Sequence, residues 1–276
     1  MSASRRVLLS ALMASAIMMI ATAMATAERP TDQAWDILQS TATNEHVPKR
    51  VSAMQVLQLL PGNARAVAMA EQGLVDKKPE VRAAPAVALG LMKSKAAVPV
   101  ILAHINGEKD GDVVLAEAKA LVELGEDKGY EVYYAVVSHT WKNGQGLVAQ
   151  QEKELNEVLQ NPKKMAYMAF QQGIGYVPFG GVGFTAYQAI RSVETGPNIV
   201  EATAIKVLGP DPDPRSGQLL VKTATTSKST LVRAAAYDAL ARRGEKSLRD
   251  GILPGLEDEK EQVRLIAAAA VIRLSK

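Results

Sequence analysis

Cysteine is absent from the chain, histidine occurs three times, and aromatic residues make up only 4% of the sequence. Without cysteine there is no disulfide, no thiolate metal centre, no cysteine nucleophile and no cysteine for a lipid anchor. His46, His104 and His139 lie far apart and none has a partner at metal-ligand spacing, so no metal site is expected. No Gly-x-Ser-x-Gly or His-Glu-x-x-His signature is present. Glu117 and Glu201, which share a repeat position in this reading, are the only paired carboxylates worth naming, and helix-surface acids are ordinarily just solvated. Asp211-Pro212-Asp213-Pro214-Arg215-Ser216-Gly217 fails as a calcium loop, because Arg215 replaces an oxygen ligand and Lys222 stands at the twelfth position.

Charge of one sign is also lacking. The whole chain carries a formal +3, and residues 1–27 hold two arginines and no acid, so the remainder is close to neutral. That leaves no electrostatic footprint for nucleic acid. Apolar residues reach 47% against 22% charged, which excludes a disordered chain. A sequence rich in Ala, Val and Leu and poor in aromatics favours closely packed helices over a β-sandwich.

Residues 1–27 read as a signal peptide. Arg5 and Arg6 form a basic start, Val7 to Met24 is uncharged and mostly apolar, and Ala25-Thr26-Ala27 is a small-residue cleavage site. A retained transmembrane anchor is the alternative, the run being near spanning length. Ser4-Arg5-Arg6-Val7-Leu8-Leu9 resembles a twin-arginine signal as well, so the Sec and Tat routes both stay open. Export without cysteine points to a periplasmic or secreted bacterial protein.

Six ten-residue stretches then repeat, beginning at Val51, Val81, Ala116, Val200, Val232 and Val263. Small and apolar residues recur at offsets of three and four, the spacing of one helix face. Leu89-Gly90, Leu124-Gly125 and Leu208-Gly209 are expected to close three of these helices, with glycine as the left-handed cap. Second helices are expected over 97–105, 130–138 and 247–256. Residues 31–43 are expected to form a terminal capping helix, with Thr31 at its N-cap and Trp35 and Leu38 on its apolar face. Arg82, Arg233 and Arg264 share one repeat position. They are expected to bond carbonyls or acids of adjacent repeats, since Ser52, Glu117 and Glu201 interrupt any basic stripe.

The Val-Arg-x-x-Ala-x-x-Ala-Leu-Gly pattern, as in Val81 to Gly90, resembles the HEAT-like repeats of the phycobilisome lyases. The resemblance covers residues 45–138 and 196–276. It implies an all-α, right-handed α-solenoid of HEAT-like helix pairs. It implies little about activity, because that family includes lyases, scaffolds and adaptors.

Between Trp141 and Thr195 the repeat is interrupted. Residues 146–160 read as a solvated helix. Met165 to Ile190 carries no charge and holds half of the chain's aromatics. Tyr167 and Phe170 share one helix face, as do Phe184 and Tyr187, and the glycine-rich run with Tyr176 and Phe179 lies between them. This predicts an inserted apolar helical hairpin with a bent tip. A phosphate loop is not supported, since no Lys-Ser/Thr follows the glycines. Local core, an interfacial membrane contact and a partner site all stay open for this segment.

The organisation expected is a signal peptide over 1–27, a cap and repeats over 28–139, inserted helices over 140–195 and further repeats over 196–276. The expected function is an exported, non-enzymatic protein-binding or scaffold module without cofactors, recognising a protein or peptide. The candidate contacts are Tyr167, Phe170, Tyr176, Phe179, Phe184 and Tyr187, together with Tyr133 and Tyr134 on a second-layer helix. The alternative is an envelope-associated structural protein with minor membrane contact.

Overall fold

Each helix begins where the chain supplies a proline or a capping acceptor. The computed structural model describes residues 29–138 and 197–276. Proline occupies the first turn of α1 (Pro30–Ala42), α2 (Val47–Val56), α4 (Pro79–Leu91), α5 (Val98–Ile105) and α9 (Pro214–Thr226), where its missing N–H costs nothing. Side-chain oxygens of Asn63, Asp110 and Ser229 cap α3 (Ala64–Gly73), α6 (Gly111–Glu123) and α10 (Thr230–Arg243). The remaining helices are α7 (Lys128–Val137), α8 (Pro197–Leu208) and α11 (Glu261–Leu274). A 3-10 helix, Asp250–Glu257, stands where a second-layer α-helix was expected. Its Pro254 removes a donor that an α-helix would use. Every element among the described residues is helical.

Two of the three expected glycine caps are absent. Gly125 is left-handed at φ 80°, and Gly244, not anticipated, does the same after α10 at φ 69°. Gly90 lies inside α4 instead. A Cβ there would meet the Ala120 Cα at 2.9 Å, so glycine at this position lets α4 and α6 approach closely. Gly209 has no left-handed backbone either, and faces Ala239 of α10.

The helices pack as pairs in two layers. In the first layer α8, α10, α11, α2, α4 and α6 follow one another in space. The second layer holds α9, the 3-10 helix, α1, α3, α5 and α7. This spatial order differs from chain order at one place. The last helix, α11, packs on α10 on one side and on α1 and α2 on the other. It is therefore buried nearly all round, from Val263 through Leu274, with Ala267, Ala268, Ala269 and Ala270 fully enclosed. Its partner in the pair is α1, the first described helix. Trp35 and Leu38 are buried as expected, but α1 lies in the middle of the stack rather than closing an end. Thr31 does not cap α1; its hydroxyl bonds Ser275 instead.

Arginine ties successive pairs together. The fourth residue of α2, α4, α10 and α11 is Arg50, Arg82, Arg233 and Arg264. Each points Nη1 at the carbonyl six residues earlier: Asn44, Asp76, Ser227 and Asp258, at 2.9, 3.0, 3.0 and 2.6 Å. Three of the four also grip a carboxylate two-pronged through Nε and Nη2. Arg50 takes Asp76 at 2.9 and 3.0 Å, Arg82 takes Glu108 at 2.7 and 2.9 Å, and Arg233 takes Asp258 at 2.7 and 2.9 Å. The expected structural role of Arg82 and Arg233 is what the geometry shows. The repeat frame shifts, however: Arg50, and not Ser52, is the equivalent of Arg82.

Candidate functional site

Fully buried carboxyls are rare in folded proteins unless paired. Glu117, on the inner face of α6, is completely enclosed. Its Oε1 lies 2.5 Å from Nδ1 of His104 on α5, and its Oε2 has no hydrogen-bond partner among the described residues. The antiparallel pairing of α5 and α6 brings these two residues together across 13 positions.

Burial first, and the nearby Glu108 carboxylate second, push the Glu117 carboxyl up to about 8. It is thus protonated at neutral pH. Burial holds the His104 ring below its ordinary value, against the pull of Glu108 and with the help of Arg82. The ring is thus neutral there. A protonated Glu117 donates through Oε1 to the Nδ1 lone pair, which leaves the ring proton on Nε2. That Nε2 sits 3.9 Å from Glu108 Oε2, beyond hydrogen-bond reach.

Glu108 behaves in the opposite way to Glu117. Burial alone would raise its carboxyl, but the Arg82 fork and the Lys109 and Asp110 amides outweigh it and hold it below the usual range. Two carboxyls on one ring's perimeter are therefore pushed apart, one neutral and one ionised. His104, Arg82 and Glu108 line an open groove of about 540 Å³, edged by Val75, Ala103 and Lys109. The arrangement can hand a proton between a buried store and a solvent-facing ring.

The other expected residues lie elsewhere. Glu201 is exposed on α8 and has no relation to Glu117. Their repeat positions differ as well, since Glu117 is the seventh residue of α6 and Glu201 the fifth of α8. His46 is exposed beside Glu45. Tyr134 is 73% exposed on α7, whereas Tyr133 packs partly on the core and reaches the Leu115 carbonyl. Asp213 caps α9 by accepting from the Arg215 amide, Asp211 accepts from the Ser216 hydroxyl, and Arg243 donates to the backbone carbonyls of both. Among the described residues no group of side chains is arranged to hold a metal ion. No helix among them is long and apolar enough to cross a membrane. The signal segment 1–27, His139, the inserted stretch 140–195 and Tyr167, Phe170, Tyr176, Phe179, Phe184 and Tyr187 lie outside the described residues.

The sequence contained no signal for the His104–Glu117 pair beyond an acid on an otherwise apolar helix face. Glu117 interrupts the run Val113, Val114, Ala118, Ala120 and Leu121, all buried.

No protein-family model matches the chain. No curated protein matches it. Among solved structures, human deoxyhypusine hydroxylase in complex with glycerol is similar over 89% of this chain and 97% of that one, with 15% identity and a TM-score of 0.34. That likeness is compatible with a helical-repeat build and is too distant to transfer a reaction. It does correct one expectation: the neighbour is an enzyme, so the non-enzymatic scaffold or structural role expected from the sequence is not retained.

Proposed function

We propose that the chain is an acid–base protein of helical-repeat build, with the His104–Glu117 pair as its proton-exchanging element. One observation carries this reading: a fully buried carboxyl lies 2.5 Å from a histidine whose ring lines an open groove. Below about pH 8 the pair acts as an acid. Nε2–H passes its proton to a base in the groove, and Nδ1 takes the Glu117 proton in exchange. Above that pH Glu117 is ionised, the ring proton rests on Nδ1, and the bare Nε2 accepts a proton. The substrate class is a small molecule with one exchangeable proton and an apolar edge to lie on Val75 and Ala103.

The test uses nitrobenzisoxazole, whose ring opens on removal of one carbon-bound proton. The protein-dependent rate is expected to rise with pH to a plateau, with a midpoint near the Glu117 value of about 8. It is expected to vanish in His104→Ala and to survive in His46→Ala. A rate that is the same in wild type and His104→Ala would sink the reading.

The helix pairs are further proposed to form a right-handed α-solenoid of HEAT-like repeats, interrupted by inserted helices over 140–195 that include an apolar hairpin within 165–190. The recurring arginine clamps support this. Export is proposed from Arg5, Arg6 and the Ala25-Thr26-Ala27 site. N-terminal sequencing of the chain from a periplasmic fraction should begin at Glu28; a start at Met1 in that fraction would refute cleavage. A protein or peptide is proposed as the partner of the aromatic stretch between Tyr167 and Tyr187.

A further inference from the structure

The four arginine clamps are alike except in one respect, and the exception sits where the first and last described helices meet. Arg50, Arg82 and Arg233 each grip a carboxylate from the loop that opens the next pair. Arg264 keeps the clamp's other bond, from Nη1 to the Asp258 carbonyl at 2.6 Å. Among the described residues no carboxylate meets its Nε or Nη2.

Spatial order explains the gap. The pair that follows α11 in space opens with the loop before α2. There the residue six positions ahead of Arg50 is Asn44, as Asp76 is six ahead of Arg82 and Asp258 six ahead of Arg264. Asn44 retains one task of those aspartates. Its Oδ1 accepts from the His46 amide at 3.0 Å, as Asp76 accepts from Lys78 and Asp258 from Lys260. Its second side-chain atom is an amide nitrogen, a donor in place of an acceptor. Arg264 and Asn44 line the same cavity, and Asn44 offers the guanidinium no carboxylate.

That cavity holds about 230 Å³. Ile37 supplies its apolar wall. The hydroxyls of Ser40 and Thr41 line it too, while donating back to carbonyls of their own helix. Lys49 and Glu261 also line it and pair with each other at 2.9 Å, which occupies the one acid present. With Arg264 counted, the lining carries a single uncompensated positive charge.

We propose that this cavity is a binding site for a monocarboxylate, which completes the Arg264 clamp from outside the chain. The ligand's two oxygens take the place that Asp76, Glu108 and Asp258 fill at the other clamps, accepting from Arg264 Nε and Nη2. One oxygen also accepts from Asn44 Nδ2. A planar carboxylate with a short tail suits both the fork and the volume. The carboxylate can come from a free small acid or from the C-terminus of a peptide.

Titration of the full chain by NMR, following the Arg264 Nε–H resonance at constant ionic strength, tests this. Acetate represents the small acid and N-acetyl-alanyl-alanine the peptide terminus; inorganic phosphate is the anion control. A saturable shift with either carboxylate, lost in Arg264→Gln, is the expected result. Tenfold tighter binding of the dipeptide assigns a peptide terminus, and equal binding assigns the free acid. Asn44→Asp supplies the missing acceptor from within. That variant should lose the carboxylate response at least tenfold and melt about 3 °C higher than wild type. Unchanged carboxylate binding in Asn44→Asp, an equal response to phosphate, or no saturable shift in the wild type would each overturn the proposal.

Discussion

Thr31 Oγ1 donates to Ser275 Oγ at 3.1 Å, across 244 positions of sequence. The bond joins the start of α1 to the end of α11, and the two helices lie side by side like any other pair in the stack. Elsewhere such a pair is connected by a short loop; here the loop is missing and the contacts alone hold the pair. Lys49 to Glu261 and Lys276 to the Gly62 carbonyl reinforce the same seam.

The seam predicts that the two described segments recognise each other as separate chains. Fragments 29–138 and 197–276, expressed together, are expected to co-purify, because α11 alone would leave a run of buried apolar residues uncovered. Substituting Ala268 with Asp, at a fully buried position, should abolish the association. Fragments that elute separately at micromolar concentration would contradict the packing.

The clamps differ sharply from ordinary surface ion pairs. Arg82→Ala leaves Glu108, whose side chain is only 4% exposed, without its counter-charge. The expected loss is about 3 kcal/mol or more in denaturant unfolding. Arg215→Ala removes an ion pair whose arginine is 89% exposed and should leave the unfolding midpoint where it is in wild type. Comparable losses in the two variants would show that the clamps are not structural.

Stability should respond to pH through the buried pair. Glu117 binds its proton up to about pH 8 when folded but only to its ordinary 4.5 when unfolded. The unfolded state therefore holds fewer protons in that window, and stability falls as pH rises through it. His104 acts in the other direction: its folded value lies below the ordinary 6.5, so its contribution rises with pH up to 6.5. Between 6.5 and about 8 Glu117 acts alone, with a slope of at most about 1.4 kcal/mol per pH unit. Glu117→Gln should remove that slope, seen as melting curves that no longer shift between pH 6.5 and 8.

Gly90→Ala should cost about 1–3 kcal/mol, because the new methyl group meets the α6 backbone and not a side chain that can move. At Gly62 a Cβ meets nothing within 4 Å, and the cost is the left-handed backbone alone, about 1 kcal/mol. Calorimetric melting separates the two, and equal losses would argue against the close approach of α4 and α6.

Much of the helical content was legible because the first-layer helices carry their own periodicity and arginine. Val81-Arg82, Val232-Arg233 and Val263-Arg264 announce three of them. Arg50 was missed because Lys49 stands where the other helices carry valine, and Val51-Ser52 imitates the pattern two positions later. The role of Gly90 was misread since a Leu-Gly pair looks alike at a helix end and at a tight helix crossing. His104 and Glu117 could not be matched from spacing, because only the turn between α5 and α6 decides which faces meet. The pairing of α11 with α1 had a trace in composition: a terminal helix with four consecutive alanines between Ile266 and Val271 has no polar face to give to solvent.

A chain whose first and last described helices pair with each other is a circular permutation of a simple array. Read from residue 197 to 276 and then from 29 to 138, the helices fall in their spatial order. The ribosome, by contrast, delivers the central pair in two instalments, α1 first and α11 last of the described helices. No segment made early can complete that pair, so the native stack cannot assemble progressively in chain order. A variant with residue 276 linked to residue 29, and new ends opened within 139–196, would carry the same contacts in a chain that can fold as it is made.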